Sequence, residues 1–207
     1  MKNTTNIVAW IVLGVSAVSI GLYPLLYFVV GREFGILPSK GEQLLDNAFW
    51  NIGFYGHIVF GGVALLIGWV QFSEKIRNTY IKLHKGIGKL YVISVLISAV
   101  CGGYIAFFAT GGIVSTIGFA SLALIWLFYT LRGYLAVRNK DLSLHKGFMI
   151  YSYAATFAAV TLRIWLPILH ILFDDHIVAY RIVSWLCWVP NIVFAFFWVR
   201  KRGLVIG

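Results

Sequence analysis

The sequence predicts an all-α integral membrane protein, a polytopic bundle of six transmembrane helices. Of its 207 residues, 60% are hydrophobic and only 12% are charged, which is too apolar for a soluble domain. Apolar runs long enough to cross the roughly 30 Å hydrocarbon layer recur along the whole chain. A chain of this length builds one compact bundle, so residues 1–207 are expected to form a single domain. The six runs cover residues 7–30, 49–70, 90–109, 113–137, 148–171 and 177–199.

Proline and glycine mark where these helices bend or end. Pro24 and Pro190 lie inside the first and last runs, where the missing backbone N–H is expected to kink the helix. The third run is expected to begin earlier, as an interfacial helix over residues 81–89. The third connection, residues 110–112, reads Thr-Gly-Gly and predicts a tight hairpin. The first loop, residues 31–48, is long enough to hold a short amphipathic segment.

The charged residues indicate orientation and partners. A net charge of +10 would suggest a nucleic-acid partner in a soluble protein, but lysine and arginine also accumulate in the cytoplasmic loops of membrane proteins. The N-terminus, the second and fourth loops and the tail together hold 13 of the 17 lysines and arginines. The opposite side holds five of the seven acids. We therefore expect both termini in the cytoplasm, membrane lipids as partners, and no nucleic acid.

Two segments of the chain repeat one another. The tetrapeptide Leu-His-Lys-Gly opens both the third and the fifth run, which places His84 and His145 at equivalent positions. A spanning helix and a return helix follow each copy, and this pattern predicts a duplicated helical hairpin. Deeper equivalent positions are Tyr91 and Ser152, seven residues after the histidines, and Gly102 and Arg163, 18 residues after them.

A polar stripe crosses the stretch of residues 144–170. Ionisable groups at membrane depth are costly and normally face the bundle interior. Arg163 has two interpretations: it bonds backbone carbonyls or snorkels to the surface, or it clamps a haem propionate, a quinone oxygen or a lipid phosphate. Pro167 is expected to kink the last turn and rotate His170 off the line. On a helical wheel with 100° per residue, the residues of the stripe lie within about 40° of one line. They are His145, Ser152, Thr156, Ala159, Arg163 and His170.

His57 lies inside the second run, about 12 Å from its outer edge. One interpretation is close helix packing through small residues, with His57 bonded to a neighbouring helix. The other is that His57 presents its ring to a flat cofactor, for which the small residues leave a groove. The small residues on its face are Gly53, Gly61, Ala64 and Gly68.

The histidines of the two repeats also have two interpretations. His84 and His145 would lie at the interface, where the adjacent Lys85 and Lys146 contact lipid phosphates. Alternatively, two equivalent histidines on parallel helices approach one metal from opposite sides, as axial ligands of haem do.

The two cysteines, Cys101 and Cys187, lie in apolar runs and are expected to be small buried hydrophobes, not a disulfide or a metal pair.

Three runs of sequence resemble a known family. They are HIVFGGVALLIGWVQF from His57, RNTYIKLHKGIGKLY from Arg77 and LHKGFMIYSYAATFAAVTLR from Leu144. They resemble the bacterial integral membrane proteins grouped as domain of unknown function 2306, over residues 50–165. That resemblance implies a multi-spanning helical fold and a bacterial inner membrane. Leu-His-Lys-Gly at a helix start is also similar to elements of b-type membrane cytochromes and ferric-reductase-like domains, which implies histidine-ligated haem.

We therefore expect a membrane protein that binds haem b and passes electrons within the membrane, with quinone or a redox protein as a partner. His84 and His145 would ligate an inner haem. His57, with Arg163 and His170, would form an outer haem or quinone site. The alternative is a non-enzymatic protein, without metal, that binds a lipid or quinone head group or a partner membrane protein. The sequence assigns no catalytic residue and leaves the oligomeric state open. The other residues expected to line the outer site are Gly61, Ala64, Gly68, Ser152 and Thr156.

Overall fold

The structure is a computed structural model that describes the backbone of residues 2–204 and the side chains of residues 7–204. All regular secondary structure in that range is helical, and the predicted all-α fold is confirmed. Six stretches are long and apolar enough to cross a membrane, as the sequence predicts. We number them spans 1 to 6: Ile7–Glu33, Ala48–Phe72, Ile81–Ala106, Ile113–Arg138, Leu142–Leu172 and His176–Lys201.

Eleven α-helices and three short 3-10 helices form the spans and the segments between them within the described range. The 3-10 helices are Gly31–Glu33, Leu37–Ser39 and Trp69–Phe72. The α-helices are α1 Lys2–Leu22, α2 Leu25–Val30, α3 Glu42–Leu45, α4 Ala48–Gly68, α5 Glu74–Thr79, α6 Ile81–Ala106, α7 Ile113–Arg138, α8 Leu142–Thr156, α9 Ala158–Leu172, α10 His176–Leu186 and α11 Val189–Lys201.

Helices α4, α6, α7 and α8 pack in a ring and form the centre of the bundle. Helix α1 packs against α4 and α9, α10 against α7 and α9, and α11 against α8. The outer faces are apolar and exposed, with Val29 81%, Phe49 77% and Ile171 83% accessible. Apolar faces of this extent on spanning helices are stable only against lipid tails, so the protein contacts membrane lipids.

The bundle has two distinct ends. The segments 73–80 and 139–141 lie with the first residues of α1 and the last of α11 at one end, which we call the terminal end. Residues 31–47, 107–112 and 173–175 lie at the other, which we call the cap end. Helices α6 and α8 both start at the terminal end, at Ile81 and Leu142. Those residues are 61 positions apart, which is also the spacing of the two histidines in the predicted repeat.

Spans 1 and 6 are interrupted near their prolines, as the sequence predicts. Helix α1 ends at Leu22 and α2 resumes after Pro24. In span 6 the helix is interrupted at Cys187 and Trp188, just before Pro190. A proline ring clashes with the carbonyl four residues earlier and lacks the N–H that would bond it, so each helix breaks at this point.

Span 5 differs from the prediction of one continuous helix. The break lies at Phe157, between α8 and α9, whereas Pro167 lies within α9. Side-chain donors supply the reason, because they bond carbonyls at the break and in the turn before it. Thr161 Oγ1 donates to the carbonyl of Phe157 at 3.3 Å, and Asn191 Nδ2 of α11 donates to that of Ala154 at 3.3 Å. The polar stripe is therefore divided between two helices.

The first loop folds into a structured cap, which we define as residues 31–47. Leu37 and Leu45 are only 2% and 5% exposed, because they pack onto the aromatic residues at the cap end of α2 and α4. Arg32 closes the cap by donating to Glu42 at 3.0 Å and to Asp46 at 2.7 Å. The cap thus covers the end of spans 1 and 2.

Lys40 ties the cap to the α6–α7 hairpin. Its Nζ donates to the carbonyl of Phe108 at 2.7 Å and to Thr110 Oγ1 at 3.1 Å. Burial lowers the pKa of the Lys40 ammonium, because leaving water disfavours the charged form. A partly buried cation that spans two loops holds the cap against span 3.

Candidate functional site

The two repeat histidines both lie at the terminal end. His84 on α6 is close enough to His145 on α8 for their charges to interact. Seven residues further along the parallel helices, Tyr91 Oη and Ser152 Oγ are 2.8 Å apart. Since both pairs occupy equivalent positions in the repeat, α6 and α8 run in register across the centre of the ring. This register puts the two histidines at equivalent positions on the two helices, as their predicted approach to one metal from opposite sides requires.

The ring of His145 is oriented by the backbone of α7. Its Nδ1 is 2.9 Å from the carbonyl oxygen of Gly133. A carbonyl only accepts hydrogen bonds, so Nδ1 carries the proton and donates it. The lone pair is then on Nε2. This is the tautomer that metal-bound histidines adopt, with the second nitrogen fixed by a carbonyl or carboxylate.

His84 lies in a half-buried position with a ring nitrogen that has no partner. Within the described residues, neither His84 Nδ1 nor Gln71 Nε2 has a hydrogen bond, although both atoms are buried. Gln71 follows α4 and lies against Gly88, one turn beyond His84 on α6. Unpaired buried polar atoms are rare and mark sites for water, ligands or ions. Gln71 is a residue that the sequence analysis missed, although it is a lone amide at the end of an apolar run.

A closed polar network lies directly below the histidine pair. Tyr91 Oη is 2.8 Å from both Ser152 Oγ and Thr156 Oγ1. Trp126 Nε1 donates to Thr156 Oγ1 at 2.9 Å, and Thr130 Oγ1 is 2.7 Å from Ser152 Oγ. All five residues are at most 6% exposed. The network joins α6, α7 and α8 at the middle of the ring, so Ser152 and Thr156 act here as structural residues.

Replacing Thr156 with valine should destabilise the protein by about 1–3 kcal/mol, because the buried Trp126 N–H loses its acceptor. Thermal unfolding in detergent, followed by tryptophan fluorescence, would measure the change. Thr116→Val is the matched control, because Thr116 is half-buried on α7 and outside this network. Equal midpoints for the two variants would contradict the structural role of the network.

His57 faces α6 at the other end of the ring. Its Nδ1 is 3.0 Å from the carbonyl oxygen of Ser98, which makes Nδ1 the donor, and Ser98 Oγ donates to the carbonyl of His57 at 2.8 Å. A Cβ on Gly102 would lie 2.7 Å from Nδ1, so this glycine leaves room for the ring. The structure thus bonds His57 across to a neighbouring helix, and its Nε2 is left with a lone pair.

Arg163 lies beside His57, at the junction of spans 1, 2 and 5. The two side chains are close enough for their charges to interact. The guanidinium donates to the carbonyl of Ala159 at 2.9 Å and lies over the ring of Tyr23, 4.2 Å from its centroid. In the described part of the chain it has no carboxylate partner. Tyr23, on the segment between α1 and α2, is a second residue that the sequence analysis missed.

The small residues along α4 form helix contacts. A Cβ on Gly68 would lie 2.6 Å from the ring of Tyr153, and a Cβ on Gly61 would lie 3.0 Å from Ser98 Oγ. Ala64 is fully buried. Side chains of the protein therefore occupy the space beside Gly61 and Gly68.

A comparison with known protein families identifies the family of this chain. The family model described as "Predicted membrane protein (DUF2306)" matches residues 54–199. The chain belongs to this family. No curated protein and no solved structure matches the chain. The DUF2306 match includes His57, Gln71, His84, His145 and Arg163, whereas Tyr23 and the cap precede it. The two histidine sites thus lie within the matched segment.

The remaining candidate of this DUF2306 protein lies apart from the others. His170 Nε2 is 2.8 Å from His176 Nδ1, and both side chains are exposed at the cap end. The structure does not bring His170 together with His57 or Arg163, because it lies near the end of α9 and pairs with the start of α10. Cys187 is fully buried and Cys101 partly so, and both are free thiols.

The titratable groups limit the kind of metal site. Across the described residues, no three His, Cys, Asp or Glu side chains are grouped closely enough to hold a metal ion. A structural zinc site needs four protein ligands. Iron in haem needs only axial ligands from the protein, because the macrocycle supplies the others. His84 and His145 fit that smaller requirement, since one presents a free lone pair and the other has a buried nitrogen without a partner.

Proposed function

We propose that this protein is a b-type haem protein that passes electrons within the membrane, with the haem held between α6 and α8 at the terminal end. One observation supports the proposal: the Tyr91–Ser152 hydrogen bond joins α6 and α8 seven residues beyond His84 and His145, which puts the two histidines at equivalent positions on the two helices. Histidine pairs on facing helices are a common way in which bundles hold haem.

The residues of the site have separate roles in this proposal. Gly133 holds His145 in the tautomer that exposes Nε2, so this ring is preorganised as a ligand. His84 supplies the second ligand, and Gln71 Nε2 supplies a donor beside it. A side-chain methyl on Gly86 would have no atom within 4 Å, so the surface next to His84 is open. Haem, when bound, would supply the one-electron chemistry, whereas the protein supplies ligands and electrostatics.

The absorbance spectrum of the purified protein tests this proposal. We expect a Soret band and, after reduction with dithionite, the sharp visible bands of a low-spin haem. Protein expressed with ample haem supply that remains colourless, and that binds no haem on titration, would contradict it. A coloured protein with a high-spin spectrum would contradict the pairing of the two histidines.

Arg163 favours a second candidate function at the cap end, the binding of a quinone or lipid head group. Its guanidinium bonds a carbonyl and an aromatic ring, and a cation at this depth is stabilised further by an anionic or carbonyl oxygen. His57 Nε2, beside it, offers a lone pair. A ligand that brings a carbonyl or phosphate oxygen to Arg163 fits this arrangement.

Arg163→Lys should weaken binding of a short-chain quinone by about tenfold, because lysine keeps the charge but loses the planar fork of donors. Isothermal titration in detergent would measure the affinity, with phosphatidylglycerol as the second probe to distinguish a lipid ligand. Arg181→Lys is the matched control, because Arg181 is exposed and donates to a hairpin carbonyl. Binding of neither probe to the unchanged protein would remove this candidate.

For the orientation, we propose the inner membrane of a bacterium with both termini in the cytoplasm. The support is the excess of lysine and arginine at the terminal end. A phosphatase that folds only outside the cytoplasm should be inactive when fused after residue 207. The same reporter inserted in the cap, after residue 40, should be active. The opposite pattern of activity would invert the topology.

A further inference from the structure

Two histidine rings meet where span 5 connects to span 6, at the cap end. His170 lies in the last turn of α9, and His176 is the first residue of α10. His170 Nε2 and His176 Nδ1 are 2.8 Å apart, whereas the ring centroids are 4.7 Å apart, so the two nitrogens lie on the facing edges of the rings. Both side chains are exposed, and dissolved ions can therefore reach this pair of nitrogens.

Buried neighbours fix the backbone on both sides of the pair. Leu169 is 5% exposed and Ala179 is fully buried, and both belong to the apolar cluster in which α9 packs on α10. Asp175 Oδ1 accepts a hydrogen bond from the Ile177 N–H at 2.7 Å and caps the start of α10. The two helices therefore hold the histidines next to each other, as a preorganised ligand pair requires.

The hydrogen bond between the two rings contributes little to folding, because water can bond the same nitrogens of an exposed imidazole in the unfolded chain. Neutral imidazole is also the commonest protein ligand for transition metals. Only one of the two facing nitrogens carries a proton, since a hydrogen bond needs one donor and one acceptor. When that proton moves to the opposite nitrogen of its own ring, both facing nitrogens present a lone pair to one ion.

The distance between the two nitrogens distinguishes among metal ions. Neighbouring ligands of a square-planar centre are separated by about 90°, so two nitrogens at about 2.0 Å from the metal are about 2.8 Å apart. In a tetrahedral centre the angle is about 109° and the nitrogens are about 3.3 Å apart. The observed 2.8 Å fits the square-planar arrangement. Cu²⁺ prefers this geometry, and it binds nitrogen ligands more tightly than the other divalent first-row ions do.

The charges around the pair favour a cation. Asp174 and Asp175 are both exposed in the connection between the two histidines. Within residues 7–204 neither carboxylate forms an ion pair, so their negative charge is available to attract a metal ion. Arg181, the nearest cation in the sequence, is held elsewhere, because its Nε donates to the carbonyl of Gly111 at 2.8 Å.

We propose that His170 and His176 bind one Cu²⁺ ion at the cap end, at a site independent of haem and of Arg163. His170 Nε2 and His176 Nδ1 each form one bond to copper and replace two of its water ligands. The proton between the rings moves through solvent to the other nitrogen of its own ring, so the protein gains and loses none. Water fills the remaining positions, since no third His, Cys, Asp or Glu is grouped with the pair in the described residues. A site with only two protein ligands exchanges its ion and suits capture and release of copper, because structural metal sites are closed by protein ligands.

Titration of the purified protein with Cu²⁺ tests the site. The sample is the full chain in detergent, without a polyhistidine tag and in a buffer that does not bind copper. We expect one Cu²⁺ per chain, with the electron paramagnetic resonance spectrum of tetragonal copper split by two nitrogens. Bound Cu²⁺ should raise the unfolding midpoint, because the pair is assembled only in the folded chain. Zn²⁺ should bind at least about tenfold more weakly, since it prefers the tetrahedral arrangement and lies below Cu²⁺ in affinity.

His170→Gln and His176→Gln test the two ligands one at a time. Glutamine keeps a side chain that forms hydrogen bonds but lacks the imidazole nitrogen, so each variant should bind Cu²⁺ at least about tenfold more weakly, the smallest loss usual for even an outer-shell partner of a metal site. Gln43→Ala is the control, because Gln43 is exposed in the cap and outside the pair. Its affinity for Cu²⁺ should equal that of the unchanged protein.

Size-exclusion profiles and unfolding midpoints without metal verify folding, and an alanine variant replaces a glutamine variant that does not fold. Equal Cu²⁺ affinity in the unchanged protein and both histidine variants would overturn the site. A copper spectrum without nitrogen splitting, or Zn²⁺ binding as tight as that of Cu²⁺, would overturn it as well. The haem spectrum is a separate result, which His170→Gln should leave unchanged.

Discussion

Replacing His84 with alanine should abolish the low-spin haem spectrum, and replacing His145 should abolish it equally. Each histidine supplies one of two axial ligands in the proposed site, so losing either leaves iron with one protein ligand and a high-spin or absent signal. The loss should be complete for both variants, because the remaining ring cannot bind both faces of the macrocycle. Absorbance and electron paramagnetic resonance spectra of the purified variants would measure it.

Two controls separate ligation from the interfacial alternative. Lys85→Ala should keep the spectrum, because Lys85 is next to His84 in sequence but contributes only charge. His170→Ala should keep it as well, since His170 pairs with His176 at the other end of the bundle. If the lysine change alters the protein as strongly as the histidine changes, the tetrapeptide binds lipid phosphates and the haem site is wrong.

Gly68→Ala should be among the most destabilising small substitutions in this protein. The new Cβ would lie 2.6 Å from Tyr153 and 2.7 Å from Tyr91, whose rings are almost fully buried. Overpacking of this kind costs about 1–3 kcal/mol. Displacing Tyr91 would also strain its bonds to Ser152 and Thr156, at a further cost of about 1–3 kcal/mol.

Gly86→Ala is the matched change on the next span. A Cβ at Gly86 meets no atom within 4 Å, and the position is inside α6. Alanine there should stabilise the protein by about 0.5–1 kcal/mol, because glycine loses more backbone entropy in a helix. Unfolding midpoints in the same detergent would compare the two. An unfolding midpoint for Gly68→Ala equal to or above that of Gly86→Ala would show that the ring of four helices is packed differently.

Much of the fold can be predicted because a bilayer imposes simple rules on sequence. Backbone polar groups must be bonded internally, so apolar runs of this length are helices. Breaks near Pro24 and Pro190 follow from the chemistry of proline. The break at Phe157 could not be predicted, because Asn191, which bonds Ala154 there, comes from another span. The local sequence around Phe157 gives no information about a hydrogen-bond donor on another span.

The residues of the candidate sites also divide into those that the sequence could predict and those that it could not. The repeat predicts equivalent positions for His84 and His145, because a repeat of the sequence also sets the register of α6 against α8. Arg163 could be assigned to the interior from its cost in lipid, but Tyr23, which it contacts, lies on another span. The interpretation of Gly68 depended on which side chains face it. That choice is made by Tyr91 and Tyr153, whose large rings fill the space that a pattern of small residues leaves open.

The Tyr91–Ser152 contact also constrains how two copies of one hairpin could diverge. Equivalent positions of a duplicated unit meet at the axis that relates them, where two identical large residues would overlap and two identical small ones would leave a void. One tyrosine and one serine fill the shared space together. A change at either position is therefore tolerated only with a complementary change at the other, and exchanging the two residues should preserve the bundle better than either substitution alone.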